Sequence, residues 1–211
     1  MHAFLIFSIL YGVIPLLYYY FGKINRLALK EAFPFIVVVF IASVYEFVGT
    51  NLLQISYEKW YLKYKILAFV SIHYFFYHLL KQKYRYFFWF YIMCFIAIIV
   101  INNTLFYHHN YMDKSSYLTV LQTIIVIHFS IAWFYQLFNE MQEENLFQNS
   151  NFYIVSGLFI CYCGTVYLFL TANHIYTTNK TVFQYYWLLN IVLNLFLRTT
   201  LIVAIWKARL K

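Results

Sequence analysis

Long apolar runs separated by short polar connections make up most of the chain. Seven runs approach the length of about 20 residues that a helix needs to cross a hydrocarbon core. They cover residues 3–21, 33–53, 65–80, 87–102, 117–138, 151–172 and 182–206. The third and fourth are the shortest, and charged residues at their ends can snorkel to the headgroups. The longest connection, residues 103–116, is too short to fold as a domain. The pattern predicts an all-α, polytopic transmembrane bundle of about seven helices, one domain over residues 1–211. Pro34 falls at a helix start, where its missing N–H costs nothing, and Pro15 falls inside the first run and predicts a kink there. That run lacks a basic lead and a small-residue cleavage site, and it continues into Tyr18, Tyr19 and Tyr20. It therefore reads as a retained helix rather than a secretory signal.

Composition agrees. The chain is 64% hydrophobic and only 10% charged, against about 25% charged in soluble domains. Five glycines and two prolines leave no room for flexible linkers or low-complexity segments. A formal charge of +8 raises the question of nucleic acid, but the basic residues stand singly between apolar runs and form no basic patch. They read instead as topology determinants and headgroup contacts. Cys94, Cys161 and Cys163 all lie in apolar segments, and the last two point to different faces of one helix. Neither a disulfide framework nor a zinc site is expected.

The basic residues also predict orientation. With the N-terminus outside, nine fall on the cytoplasmic side (Lys23, Arg26, Lys30, Lys81, Lys83, Arg85, Lys207, Arg209, Lys211) and five outside (Lys59, Lys63, Lys65, Lys114, Lys180). The positive-inside rule then favours N-out, C-in, in the cytoplasmic (inner) membrane. The connection at residues 139–150 carries Glu140, Glu143 and Glu144 without a basic residue, but acidic residues weigh little in the rule. Aromatic clusters such as Trp60-Tyr61 and Tyr185–Trp187 suit the headgroup level.

Strongly polar side chains are expensive in hydrocarbon and should face the bundle interior. Those within the runs are Glu46, His73, His78, Gln122, His128, Asn190, Asn194 and Arg198, with Ser156, Gly157, Gly164 and Thr165 on the sixth helix. Asn190, Asn194 and Arg198 recur at i, i+4, i+8 and form one stripe. Counting ~1.5 Å per residue from the cytoplasmic edge puts Glu46 and Asn194 at roughly 18–20 Å, His128 at about 15 Å, and His73 and Arg198 near 12 Å. These levels predict one polar layer from the second, third, fifth and seventh helices, with Glu46 and Arg198 as charge partners. Interhelical hydrogen bonds that hold a bundle together give the same pattern, so a structural layer and a ligand-lining layer both fit. His78 reads as an interfacial end residue. His108 and His109 lie in an outer connection with Asp113 as the nearest further ligand, and no metal is assigned to them.

Several motifs resemble small seven-helix integral membrane proteins of Bacteroidota. They are Glu46-Phe47-Val48-Gly49-Thr50-Asn51, the aromatic third helix after Trp60-Tyr61, and Asn151-Phe152-Tyr153 leading into Ser156-Gly157-Leu158-Phe159-Ile160, Gly164 and Leu168-Phe169-Leu170. The resemblance spans nearly the whole chain and implies a companion of signalling systems, with no active site to carry over. Other seven-helix families fit poorly. The last helix has no lysine before Lys207 for a retinal Schiff base and no histidine for a zinc-dependent hydrolase, and the aspartate of lysoplasmalogenase-type proteins is missing from every run. Asp-Arg-Tyr and Asn-Pro motifs are absent too. Haem between His73 and His128 is geometrically conceivable, but two lone histidines do not imply a cofactor. The leading expectation is a receptor-like or accessory signalling subunit that senses a lipid or apolar ligand, with a possible membrane signalling partner. The rivals are a lipid-modifying enzyme with Glu46 or a histidine as acid–base group, and a small transporter or channel, against which the odd helix number argues.

Overall fold

The computed structural model describes residues 2–55, 57–104, 111–140 and 146–209, and all regular structure among them is helical. Eight α-helices follow in order: α1 His2–Tyr11, α2 Ile14–Phe21, α3 Phe33–Val44, α4 Tyr57–Leu80, α5 Arg85–Thr104, α6 Tyr111–Glu140, α7 Ser150–Thr178 and α8 Lys180–Lys207. Among the described residues five stretches are long and apolar enough to cross a membrane: Phe33–Thr50, Arg85–Asn102, Tyr117–Asn139, Ser150–Thr171 and Val182–Lys207. The first and third expected spans take other forms.

The first run is two helices. The N–H groups of Gly12 and Val13 turn back to the carbonyls of Ile9 and Leu10, closing α1 with tight three-residue bonds. Pro15 lies in the first turn of α2 rather than inside a helix, so the expected kink is a break placed three residues earlier. A proline has no N–H to donate and favours a helix start. The break also suits close packing: a Cβ on Gly12 would land on Ser43 Oγ of α3 and 2.9 Å from Arg198 Cζ of α8. The third run is longer than its apolar part. α4 begins at Tyr57 and carries Glu58, Lys59, Lys63 and Lys65 in its first turns, where polar residues dilute the hydropathy signal but not the helix.

After Val44, α3 widens into a π-helix over Tyr45–Leu52, with the Leu53 N–H reaching the Val48 carbonyl at 2.9 Å. Extended π-helix is rare and tends to occur at functional sites. Pro34 occupies the first turn of α3, as the sequence predicts.

Neighbouring helices alternate in direction. The start of the π-helix that follows α3 meets the first turn of α4, where Tyr45 stacks on Trp60 at 4.5 Å. The end of α6 meets the start of α7 through Phe134 and Phe152, and the end of α7 meets the start of α8 through Tyr176 and Phe183. Residues after α2 pair with residues after α8: Asn25 N–H donates to Ala208 O at 2.7 Å, and Ile24 bridges Arg209. The ends of α2 and α8 therefore share one face of the bundle. The core between helices is largely aromatic and aliphatic, with Phe75, Phe76, Phe88 and Phe129 fully buried. α7 and α8 form the most extensive helix pair.

Candidate functional site

A cavity of about 440 Å³ lies inside the bundle, bounded by α1, α3 and its π-helix, α4, α7 and α8, with one contribution from α6. Four of the six residues singled out from the sequence line it: Glu46, Asn190, Asn194 and Arg198. Helical repeat delivers the three from α8, because steps of four residues return to nearly the same face. The stripe is internally bonded: Asn194 Nδ2 donates to the Asn190 carbonyl at 2.8 Å and to Asn190 Oδ1 at 3.0 Å. Glu46 enters from the π-helix, whose wider spiral starts one residue earlier.

Arg198 is buried and donates from Nη1 to the backbone carbonyl of Ser8. This bond joins α8 to α1 just before the break in the first run. Glu46 lies within Coulombic reach of Arg198, as the sequence suggests for charge partners, and Tyr64 and Cys161 lie within reach of the same guanidinium. Burial in a weakly polar interior makes such neighbours interact strongly.

The structure adds residues that sequence reasoning missed. Lys65, which reads as an outer-loop charge, is buried in the cavity wall with Nζ 4.8 Å from the centroid of the Phe169 ring. Cation–π contact of this kind is favourable where the cation is desolvated. Tyr64, Thr119, Tyr162 and Trp187 also line the wall, beside Thr165, which the sequence does single out and whose hydroxyl donates to Cys161 O at 2.9 Å. Gln122 stands behind Tyr162, donating from Nε2 to its hydroxyl at 2.9 Å. The signal for Lys65 was available: continuing the helical register of the third run toward Tyr57 brings Lys65 onto the face of Ala68, Phe69 and Ile72.

His73 and His128 sit elsewhere. The His73 ring packs on Phe69 at 5.2 Å and edge-on to Phe88 at 4.9 Å, and neither of its buried nitrogens has a hydrogen-bond partner. His128 stacks on Phe129 and receives or donates a 2.7 Å hydrogen bond between Nδ1 and Tyr91 Oη. Both histidines contact Phe129, which stacks on Phe88 at 4.2 Å, and these rings fill the region where a haem between them would lie. The two belong to an aromatic cluster of α4, α5 and α6 rather than to the cavity. His78 is exposed beside Tyr74, in keeping with an end residue.

Among the described residues no three His, Cys, Asp or Glu side chains gather as a metal site. His108, His109, Glu143 and Glu144 lie outside the described residues. Cys94, Cys161 and Cys163 are free thiols.

Fold and cavity together define a class: a helical bundle with several helices able to cross a membrane, enclosing a cavity with a polar belt and apolar walls. No family model matches the chain, and no curated protein or solved structure matches it.

Proposed function

We propose that the chain is a seven-span protein of the inner membrane, N-terminus outside and C-terminus in the cytoplasm, acting as a receptor-like or accessory signalling subunit that binds a lipid or apolar ligand at Glu46, Asn190, Asn194 and Arg198. The cavity carries this reading. Its volume of about 440 Å³ falls within the range of about 300–1,000 Å³ typical of small-molecule sites. Its apolar lining, including Ile9, Phe35, Val39 and Leu197, suits a hydrocarbon ligand, and the belt at Glu46 and Arg198 suits a polar end.

Seven spans follow if α1 with α2 makes one crossing and α4 another. α4 has 24 residues, which at ~1.5 Å each exceeds a hydrocarbon core of about 30 Å. An even number of crossings must separate the ends of α2 and α8, because these ends share a face. That face carries Lys23, Arg26, Lys30, Lys207 and Arg209, which supports the cytoplasmic assignment. The resemblance to Bacteroidota seven-helix proteins supports the signalling role, with the short basic connections as the surface offered to a membrane partner.

Native mass spectrometry after gentle solubilisation tests the reading by detecting bound proteins and small molecules together. One amphiphile or apolar molecule per chain is expected, lost when Leu197→Trp fills the cavity. Retention of that molecule in the filled variant would exclude the cavity as its site. Glu46 in the cavity wall also favours a lipid-modifying enzyme as the second reading, which predicts a lipid profile altered by Glu46→Gln as much as by deletion.

A further inference from the structure

We propose that the ligand carries a neutral head that both donates and accepts a hydrogen bond, a hydroxyl or an amide on a single hydrocarbon chain, and that Asn190 and Asn194 hold this head. This rests on the cavity being a ligand site, as argued above, and goes further by fixing the chemistry of the polar end.

The two amides turn a matched pair of atoms away from one another. A backbone carbonyl only accepts, so the atom of Asn194 that meets Asn190 O at 2.8 Å is its nitrogen. The same nitrogen lies 3.0 Å from the Asn190 side chain, which must present Oδ1 to it. Asn194 Oδ1 and Asn190 Nδ2, an acceptor and a donor, therefore point elsewhere. Among the described residues the two side chains make no other hydrogen bond. They share a face of α8 with Trp187, Ile191, Leu197 and Arg198, spaced by threes and fours, and all six line the cavity.

Bundle packing does not account for the pair. Polar side chains in membrane helices bond across to a neighbouring helix or serve a site. Both bonds of Asn194 stay within α8, so neither fastens it to another helix. The facing wall repeats the pattern, for Thr50 lines the cavity with a buried Oγ1 that has no hydrogen-bond partner. Ser43, Thr123, Thr165 and Thr199 each return their hydroxyl to the carbonyl four residues back, a common outlet for a hydroxyl in a helix. Thr50 stands in the π-helix and makes no such bond.

Reach sets the chemistry of the head. The nitrogen and oxygen of one amide are at most about 2.6 Å apart through their carbon. Across the 3.0 Å bond, the unused donor and acceptor are then no more than about 8 Å from each other. Hydrogen bonds of about 2.9 Å to each leave a gap that one hydroxyl oxygen or one amide group closes. An ester or an ionised carboxylate only accepts and leaves Asn194 Oδ1 unsatisfied, and an ammonium only donates and leaves Asn190 Nδ2 unsatisfied. Ile9, Phe35, Val39 and Leu197 supply apolar wall for the chain.

The test uses the full chain in neutral maltoside detergent, with native mass spectrometry and competition against tritiated dodecanol as readouts. The probes are dodecanol, dodecanamide, methyl laurate and laurate, with affinities corrected for partition into the micelle. The bond donated to Asn194 Oδ1 predicts that dodecanol or dodecanamide binds at least about tenfold tighter than methyl laurate, one per chain. Asn194→Leu should lower that ratio at least about fivefold. Because it is a ratio, it is insensitive to a general loss of binding, and the comparison of probes on the unaltered protein decides even if the variant does not fold. Equal affinity for the ester would overturn the inference while leaving the apolar-ligand reading intact. An unchanged ratio in Asn194→Leu would also overturn it, by placing the head away from the amides. Laurate binding tighter than alcohol and amide would overturn it in favour of an anion. Binding of none of the probes would overturn the cavity reading itself.

Discussion

A buried histidine without hydrogen bonds destabilises the protein that holds it, and His73 is in that position. Both ring nitrogens are buried and lack partners, while the ring fits among Phe69, Phe88 and Phe129. Leaving a buried polar group unsatisfied costs about 1–3 kcal/mol. His73→Phe keeps a flat ring in the cluster and removes that cost, so thermal unfolding in detergent should show stabilisation of about 1 kcal/mol or more, less any overpacking. Destabilisation would mean that the imidazole nitrogens serve a purpose beyond packing. Tyr91→Phe removes the hydrogen bond to His128 and should cost about 0.6 kcal/mol, the average for such bonds between membrane helices. A loss of several kcal/mol would mark that pair as a keystone of the cluster. The contrast among the polar residues marks how far sequence reaches at this scale. Glu46, Asn190, Asn194 and Arg198 are legible because polarity in an apolar run points inward and the i, i+4, i+8 stripe fixes one face. His73 and His128 obey the same rule of inward polarity, yet packing decides whether inward means a cavity or an aromatic cluster. Lys65 is read wrongly for a different reason: charge at the edge of an apolar run normally marks the end of a span, and only the helical register, continued over the eight residues by which α4 extends beyond it, shows its inward face.

At the scale of elements, the α7–α8 hairpin shows how small residues set helix separation. A Cβ on Gly157 would land on Thr200 Oγ1 and 2.9 Å from Thr200 Cβ, and one on Gly164 would lie 2.7 Å from Leu193 Cδ1. Without a hydrophobic force between helices in lipid, such close approach is the main source of association. Gly157→Ala should therefore destabilise the protein by about 1–3 kcal/mol, the usual cost of overpacking. Adding Thr200→Ala should recover part of the loss, which a double-mutant cycle on thermal stability measures. Additive effects would mean that the cost does not arise from the contact with Thr200. Helix existence was readable throughout, since apolar runs separated by polar connections leave the backbone little alternative. Helix irregularity was not. The break before Pro15 brings Gly12 against Ser43 and Arg198, and the π-helix at Glu46 begins where Tyr45 stacks on Trp60. Both are long-range contacts that local periodicity does not encode.

The whole molecule poses the question of crossing number, because among the described residues five stretches meet the length and hydropathy needed for a span and the proposed path requires seven. The two extra crossings have different physics. α1 and α2 together are short and broken, but Arg198 bonds the Ser8 carbonyl inside the bundle and Arg209 lies 5.1 Å from the Tyr18 ring at the shared face. These contacts hold the first run alongside α8 between Ser8 and Tyr18. α4 has charges only in its first turns, and from Lys65 onward it buries Ala68, Phe69, Ile72, Phe75 and Phe76 against its neighbours. Its exposed Leu67, Val70, Tyr74 and Tyr77 are apolar or amphipathic, as a lipid-facing flank should be. Single cysteines introduced into a variant lacking Cys94, Cys161 and Cys163 test both crossings with a membrane-impermeant maleimide. Lys23→Cys and Arg209→Cys should be labelled only from the cytoplasmic side, and Lys63→Cys only from the outside, with Lys83→Cys again cytoplasmic. Labelling of Lys63→Cys and Lys83→Cys from one side would remove α4 from the membrane and reverse the helices between it and the N-terminus. The Ile24–Arg209 bridge would still hold α2 and α8 to one face, so the number of crossings between those two ends would have to stay even. Loss of α4 alone is thus incompatible with this fold: a second helix would have to leave with it, and the labelling pattern would identify which.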